Sequence, residues 1–473
     1  MHIFKLYLPL FCFLLPAFYL TLIAQYDPNF YIDNGTCKCD GAYYGDSVTL
    51  TLDGEQRTFT KRTRAQLDSI IAYDENDPEI ALTCTSGITD MNGLFDSKEF
   101  FDQNINHWDV SNVTNMEAMF YKAFLFDQPL DKWDVSNVTN MKAMFHDADD
   151  FDQALNDWDV SSVNNMAYMF FSSPFSQPLI DWDVSNVTKM NSMFAYSGYS
   201  QPLNNWDVSN VTDMSRMFDS SYYDQPLDDW DVSNVTDMNH MFFDTEEFDQ
   251  PLNSWDVSQV TDMNSMFYRA ESFDQPLDNW DVSQVTDISY MFSSTYDFNQ
   301  YIGNWDVSNV IFMNGVFSNT VVYDQPLDGW DLSNVVSMIS MFNNAQNFNQ
   351  DLSMWCVEQI PNEPYNFAAN SELQANFYPN WGVSCTLDVA DHSLDHLKIY
   401  PNPVKDKLNF LWSSTKSPKQ MTMRIYNFNG QEVLNRSYTN LPEQEDVSQL
   451  QSGVYLLKFI NGQRSRVERI VVE

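Results

Sequence analysis

Phe126-Asp127-Gln128-Pro129-Leu130-Asp131-Lys132-Trp133-Asp134-Val135-Ser136-Asn137-Val138-Thr139-Asn140-Met141-Lys142-Ala143-Met144-Phe145 is one unit of a repeat that fills the middle of this 473-residue chain. The tryptophan of the unit occurs in eleven units, and in ten of them aspartate follows it. The eleven are Trp108, Trp133, Trp158, Trp182, Trp206, Trp230, Trp255, Trp280, Trp305, Trp330 and Trp355. A fixed spacing of 24 or 25 residues indicates stacked repeats, each burying its apolar face against its neighbours.

The first half of each unit has the spacing of a short strand. Trp133 and Val135 alternate across one polar residue, and Leu130 extends the apolar spacing towards that of a leucine-rich repeat. Pro129 cannot donate to a sheet ladder, so we expect it to lie before the strand. The sequence therefore predicts a short parallel strand at each Trp-Asp-Val.

The second half of each unit has the spacing of a helix. Met141, Met144 and Phe145 recur at i, i+3 and i+4, and Thr139 precedes them as a candidate N-cap. Because flexible thioethers fill irregular interiors, we expect the methionines to pack in the core rather than to bind a metal or a partner. The predicted fold is an α/β solenoid of the leucine-rich-repeat type. It has about eleven repeats of 24–25 residues, each with a short parallel strand and a short helix.

Charge is distributed unevenly along the chain. The net charge is −42; residues 84–356 contain 42 acidic and 7 basic residues, whereas residues 397–473 contain 7 acidic and 11 basic residues. Such asymmetry indicates separate modules. The scarcity of Lys and Arg in the repeats argues against nucleic acid or an anionic membrane surface as a partner.

The two ends of the chain differ from the repeats. Residues 1–24 place a basic residue before an apolar stretch that ends at Ala24, which predicts a cleaved signal peptide, with an uncleaved membrane anchor as the alternative. No other apolar run has the ~20 residues that a bilayer span requires. A strand ending near Arg62 and a helix from Arg64 to Ala72 are expected within the N-terminal capping region. The predicted boundaries are 25–83 for this capping region, 84–356 for the repeats, 357–385 for a C-terminal disulfide cap, 386–396 for a linker and 397–473 for a small all-β sandwich.

One of the six cysteines, Cys12, lies in the predicted signal peptide. The other five flank the repeats rather than lying inside them. Export to an oxidising compartment favours disulfides. The placement predicts one disulfide between Cys39 and Cys84 and another between Cys356 and Cys385. Cys37 is then either free or the partner of Cys84 in place of Cys39.

Two kinds of metal site have to be weighed. The aspartates of Trp-Asp should stack ~4.8 Å apart, where like charges repel by ~1 kcal/mol per neighbour. Hydrogen bonds from the adjacent turn are the favoured compensation, and calcium between neighbouring carboxylates is the alternative. His392 and His396 follow Cys385 at an H-x-x-x-H spacing, but no C-x-x-C pair accompanies them, so zinc is not favoured either. We expect no metal and no cofactor.

The repeat unit resembles that of the BspA-like leucine-rich repeat surface proteins of bacteria over roughly residues 84–356. Residues 88–95 resemble the half unit that opens such an array, and Trp381-Gly382-Val383-Ser384-Cys385 resembles its closing cap. The resemblance implies a secreted or surface-displayed protein of a kind often proposed to act in adhesion. It brings no catalytic residues.

Three motifs near the C-terminus resemble the sorting domain that the type IX secretion system of Bacteroidota recognises. The first is Leu397-Lys398-Ile399-Tyr400-Pro401-Asn402-Pro403-Val404, and the others lie at residues 423–430 and 450–456. Asn-Gly and Ser-Gly turns between alternating segments are typical of a small β-sandwich. The resemblance implies contact with the type IX machinery through residues 397–473 and a secreted or outer-surface location.

Three classes of function follow from these patterns. We expect a binding or adhesion scaffold that presents an acidic surface, including Asp131, Asp228 and Asp278, to an extracellular protein or glycan. The alternative is a self-associating structural component of the surface or matrix. An enzyme is not expected, because the histidines of the repeats occupy scattered positions and none recurs with a Ser or Cys partner.

Overall fold

The computed structural model describes residues 28–383, 397–412, 421–427, 430–439, 444–461 and 464–473. The chain divides into two units. The N-terminal unit holds the described residues up to Gln350 together with Glu363–Gln374, and the C-terminal unit holds Asp351–Asn362 and the described residues from Ala375 to Glu473. The predicted signal peptide, the predicted linker at 386–396 and Cys385 lie outside the described residues. Among the described residues, no helix has the length and apolarity that crossing a membrane requires.

A small mixed region precedes the repeats. Strand β1 (Tyr31–Asp33) pairs with β2 (Thr36–Lys38), and the hairpin of β3 (Ser47–Leu52) and β4 (Glu55–Lys61) is extended by parallel pairing of β4 with β5 (Thr83–Cys84). Helix α1 (Arg64–Tyr73) begins at a capping box, in which the Thr63 side chain and the Gln66 side chain each accept from the other's backbone N–H. The strand and the helix predicted on either side of Arg62 are therefore confirmed.

The repeats contain no helix, so the predicted α/β solenoid is wrong. Within the described residues the chain has one α-helix, α1, which precedes the repeats. Residues 141–145, where the sequence predicts a helix, instead make successive tight turns, as when the Met144 N–H donates to the Met141 carbonyl (3.1 Å). Ala143 and Asp147 both adopt φ of 54°, and equivalent residues of the other repeats do the same. A right-handed helix excludes such values.

Hydrogen bonding between repeats explains why the helix does not form. Alternate N–H groups donate to carbonyls of the next repeat: Ala143 to Ala167 (2.8 Å), Phe145 to Met169 (2.9 Å) and Asp147 to Phe171 (2.9 Å). A helix would need these N–H groups within its own turns. The turns nevertheless bury the same side chains that a helix would bury. As predicted, the methionines of the repeats are core residues, with Met141 and Met144 at 0% exposure.

The parallel ladder lies seven residues after the tryptophan rather than at Trp-Asp-Val. Single parallel bridges join Asn115 to Asn140 and Asn140 to Asn165, and the same position continues the ladder as far as Ser337. Thr139, the predicted N-cap, instead donates through its backbone N–H and its Oγ1 to the carbonyl of Thr114 (2.9 and 3.1 Å). The ladder is thus built from isolated bridges, and the short strand predicted at each Trp-Asp-Val does not form, so that prediction is wrong.

Aromatic columns fill the interior of the repeats. Successive tryptophans stack in parallel, as do Trp133 and Trp158 (ring centroids 6.4 Å, planes 3° apart). A second column contains Phe120 and Phe145 (5.5 Å), and a third contains Phe126 (5.9 Å from the next ring). All of these rings are at most 4% exposed. Large buried rings in contact stabilise each repeat on the one before it.

Two sheets share one core in the C-terminal region of residues 397–473. One has the order β10 (Gln444–Asp446), β7 (Lys407–Trp412), β6 (Leu397–Tyr400), and the other has the order β12 (Arg464–Val472), β11 (Gly453–Asn461), β8 (Met421–Asn427), β9 (Glu432–Tyr438). Phe410 of the first sheet meets Phe459 of the second edge-on at 5.3 Å. A 3-10 turn at Ala375–Phe377 precedes these strands.

Candidate binding surface on the repeats

The constant tryptophan ties each repeat to the one before it. From Trp133 to Trp330 each indole N–H donates to a carbonyl of the preceding unit, as Trp230 does to Leu203 (2.9 Å). Trp108 opens the series, and in the described part of the chain its buried indole N–H has no acceptor. The tryptophans therefore serve the stack and are not exposed for binding.

The aspartate of Trp-Asp is held by its own turn. Oδ1 of Asp134 accepts from the backbone N–H (3.2 Å) and the Oγ (2.6 Å) of Ser136. Hydrogen bonds from the serine two residues on lower the pKa of Asp183, Asp231 and Asp306. These bonds favour the charged carboxylates, which offsets their mutual repulsion. In the described residues no group of three or more His, Cys, Asp or Glu side chains is placed to hold a metal ion.

The aspartate of Phe-Asp-Gln-Pro couples neighbouring repeats. Oδ1 of Asp249 accepts from the backbone N–H of Asp274 (3.0 Å) and from Nε2 of Gln275 (2.9 Å). The same pair of bonds recurs along the stack, and Asn299 supplies it where aspartate is replaced. These bonds therefore need an acceptor oxygen and not a charge.

The three loop aspartates that the sequence singles out do not form a common site. All three are exposed, and each lies in a different repeat and accepts from an asparagine of the preceding repeat. The pairs are Asn106 with Asp131 (2.7 Å), Asn204 with Asp228 (3.4 Å) and Asn253 with Asp278 (3.0 Å).

The cysteines that the structure describes lie at the ends of the repeats. A disulfide joins Cys39 to Cys84, with their Cα atoms 6.4 Å apart, and Cys37 is free and buried. Burial raises the pKa of the Cys37 thiol to about 12, which keeps it protonated and unreactive. Cys356 is also disulfide-bonded, and Cys385, its predicted partner, lies outside the described residues.

The first Trp-Asp is closed off by the N-terminal region. Asp109 is 2% exposed and accepts from Lys38 Nζ (2.7 Å), Ser111 and Ser86. Burial alone would raise the pKa of Asp109, but these hydrogen bonds and the charge of Lys38 lower it below its usual value. The carboxylate of Asp109, the first of the Trp-Asp series, is therefore buried in an ion pair with Lys38 and is not part of an exposed surface.

The position that forms the parallel bridge varies along the repeats. It is aspartate in four successive repeats, Asp213, Asp237, Asp262 and Asp287, which we call the aspartate row. All four are half-buried, and each accepts from the backbone N–H two residues on. Burial, together with repulsion from the neighbours on either side, raises the pKa of Asp262. The stack does not require this charge, because asparagine, serine and phenylalanine occupy the same position elsewhere.

Exposed apolar side chains continue the aspartate row. Phe312 bridges to Asp287 and is 42% exposed. We call Ile311, Phe312, Val336, Ile339 and Tyr365 the apolar patch; Val336 N–H donates to the Ile311 carbonyl (3.0 Å), and Tyr365 is 75% exposed. Exposed apolar groups that cluster in this way mark interaction sites. The sequence signal for the patch is the replacement of Thr-Asp by Ile311-Phe312, which breaks the repeat pattern.

A family model for the secretion system C-terminal sorting domain matches residues 398–473. The chain is therefore sorted by the type IX system to the outer cell surface or into the surroundings, as the sequence resemblance implies. No curated protein matches the chain.

The repeats match a second family model four times, at residues 69–176, 155–228, 197–295 and 270–381, which together span more than half of the chain. This match is compatible with the resemblance to BspA-like surface proteins, but it does not confirm a leucine-rich repeat. By this coverage, the chain belongs to the family described as Mycoplasma protein of unknown function, DUF285.

Proposed function

We propose that the exported repeats are a binding or adhesion scaffold that captures a basic extracellular protein on the aspartate row and the apolar patch. The observation that carries this proposal is the run of four half-buried aspartates that leads directly into exposed Phe312. Export gives this surface access to extracellular partners.

The variable positions of the repeats are better candidates for the binding surface than the constant positions. The indole of Trp230, the carboxylate of Asp231 and that of Asp249 make hydrogen bonds that recur along the stack. The aspartate row and the apolar patch are confined to particular repeats and the stack does not require them, which leaves these positions available for a partner. The role proposed is one of binding and involves no catalysis.

Charge and apolar contact have separate parts in the proposed interface. Four carboxylates spaced by about 4.8 Å concentrate negative potential, which attracts a basic surface and speeds encounter. Phe312 and Tyr365 offer aromatic rings, the side chains that most often anchor protein interfaces. The partner that fits is a protein segment in which Lys or Arg residues lie beside an apolar one.

The test compares two charge-matched variants for binding to immobilised cell-surface and matrix proteins at low and high salt. Asp237→Asn with Asp262→Asn removes two charges from the aspartate row. Asp231→Asn with Asp256→Asn removes two charges from the Trp-Asp column of the same two repeats. We expect the first variant to bind about tenfold more weakly and the second to bind like the parent, with the parent's binding weakened by salt.

Equal losses in the two variants would mean that only the net charge matters and would remove the aspartate row from the account. Binding by the parent that is insensitive to salt would do the same. Sedimentation separates the alternative of a self-associating matrix component, because that alternative requires species larger than the monomer in the absence of any partner.

A further inference from the structure

A groove of about 530 Å³ runs across the last repeats of the N-terminal unit, on positions that the proposed function does not use. Its first wall is formed by Ser294, Asn319, Asn344 and Asn370, which occupy equivalent positions in successive repeats. Its second wall is formed by Tyr296, Val321 and Gln346, two residues further along each repeat. A volume of this size is typical of a site for a small ligand. We call it the amide groove.

The amides of the first wall form a ladder. Nδ2 of Asn344 donates to Oδ1 of Asn319 (2.8 Å), and Nδ2 of Asn370 donates to Oδ1 of Asn344 (3.0 Å). Each amide has two N–H donors and two acceptor lone pairs. The ladder uses one of each at Asn344, so its side chain keeps one donor and one acceptor that a ligand in the groove can use.

The backbone does not account for the asparagines. Asn319 and Asn344 adopt φ of 60° and 58°, a region that asparagine tolerates well. Lys122, Asp147 and Arg269 hold the same position in other repeats with φ of 54° to 56°, so the fold accepts other side chains there. The run of amides is therefore a property of these last repeats and not a requirement of the turn.

The chemistry of the groove selects a neutral ligand rich in hydroxyl groups. None of the seven residues that line it is charged, in a chain whose net charge is −42. Hydroxyl groups donate and accept at once, as the ladder amides do. Tyr296, 39% exposed, adds an aromatic ring on which the apolar face of a sugar ring can pack. Four wall residues at about 4.8 Å spacing extend for about 14 Å, which suits several linked rings.

We propose that the amide groove binds a neutral oligosaccharide. The amide groove shares no residue with the aspartate row, and the salt dependence of binding distinguishes the two surfaces. Binding to the groove involves no charge pair and should be unchanged at high salt, whereas capture on the aspartate row weakens. The double variant Asp237→Asn with Asp262→Asn should bind the oligosaccharide like the parent.

The experiment probes the purified full chain on a printed array of neutral, sulfated and sialylated oligosaccharides, and then titrates the best neutral probe by calorimetry. Asn344→Leu removes the amide at nearly constant volume, and Tyr296→Ala removes the ring at an exposed site. Each should weaken binding about tenfold. Asn140→Leu is the matched control. Nδ2 of Asn140 also donates to the amide oxygen of an asparagine in the preceding repeat, Asn115 (3.1 Å), but Asn140 does not line the groove.

The expected result is binding of neutral probes by the parent and by Asn140→Leu, with losses in the other two variants. Thermal unfolding of all three variants shows whether Asn344→Leu is folded, and Tyr296→Ala decides alone if it is not. The proposal is overturned if no neutral probe binds, if only sulfated or sialylated probes bind, or if Tyr296→Ala binds like the parent.

Discussion

Single acceptor atoms hold neighbouring repeats together, and Asp249 shows how this can be measured. Asp249→Ala deprives the Asp274 N–H and the Gln275 side chain of their shared acceptor, so the free energy of unfolding should fall by about 1–3 kcal/mol. Asp249→Asn keeps the acceptor, as Asn299 does naturally, and should stay within about 0.5 kcal/mol of the parent. Denaturant unfolding measures both. Equal losses would show that the charge, and not the acceptor, is what the position supplies.

Burial could be predicted residue by residue, but the partners of polar side chains could not. Spacing identified Met144 and Phe145 as core residues, because apolar positions must face inward in any stacked repeat. The role of Asp249 depends on a donor 25 residues away, and no local pattern fixes that pairing. The disulfide between Cys39 and Cys84 joins the pair that the sequence favours, since the chain offers few partners outside the repeats.

At the scale of the element, a glycine substitution should have opposite effects on stability in the observed turns and in the predicted helix. Ala143 has φ of 54°, and Gly315 occupies the equivalent position with φ of 59°. Ala143→Gly should relieve the strain of this left-handed conformation and raise the free energy of unfolding by up to about 1 kcal/mol, whereas glycine inside a helix costs about that much. Urea denaturation measures the change.

Ala123→Gly is the control for this prediction, because Ala123 is fully buried and is not among the residues with positive φ. It should destabilise the chain. A loss of stability in Ala143→Gly of similar size would contradict the strain argument.

The helix was predicted because tight turns and helices bury nearly the same residues. A turn that repeats every four residues places Met141, Met144 and Phe145 inside, as a helical period of 3.6 would. What distinguishes the two is where the backbone N–H groups donate, and that depends on the neighbouring repeat. The sequence does not reveal the aspartate row and the apolar patch for a related reason: it predicts the ladder at Trp-Asp, seven residues too early, and so gives no role to the variable bridge position.

At the scale of the whole molecule, the packing contact between the N-terminal region and the first repeat should be weakened by acid. His107 is 4% exposed, packs on Phe59 and donates a hydrogen bond from Nε2 to the Ala81 carbonyl (2.7 Å). Burial lowers the pKa of His107 from 6.5 to about 4. Between these values the unfolded chain binds the extra proton and the folded chain does not, so stability is complete above about pH 6.5 and falls towards pH 4, by about 3 kcal/mol.

Urea unfolding at about pH 7 and about pH 4.5 measures this loss. His107→Gln cannot take up the proton and should show a smaller difference between the two pH values. Burial also lowers the pKa of His146 and His240, so part of the acid sensitivity should remain in the variant. A parent that is equally stable at both pH values would contradict the prediction.

The disulfide before the repeats closes a loop that contains β3, β4 and α1, and its removal should loosen this whole region. Cys39 and Cys84 are 45 residues apart, for which the entropy of the open chain implies a loss of about 3–4 kcal/mol in Cys84→Ala. Cys84 is the residue to replace, because removing Cys39 would leave Cys37 and Cys84 able to pair. Cys37→Ala keeps the disulfide and removes only a buried thiol, so its thermal midpoint should fall much less. If the two variants lose the same stability, packing around the cysteines, and not the covalent closure, holds the N-terminal region against the first repeat.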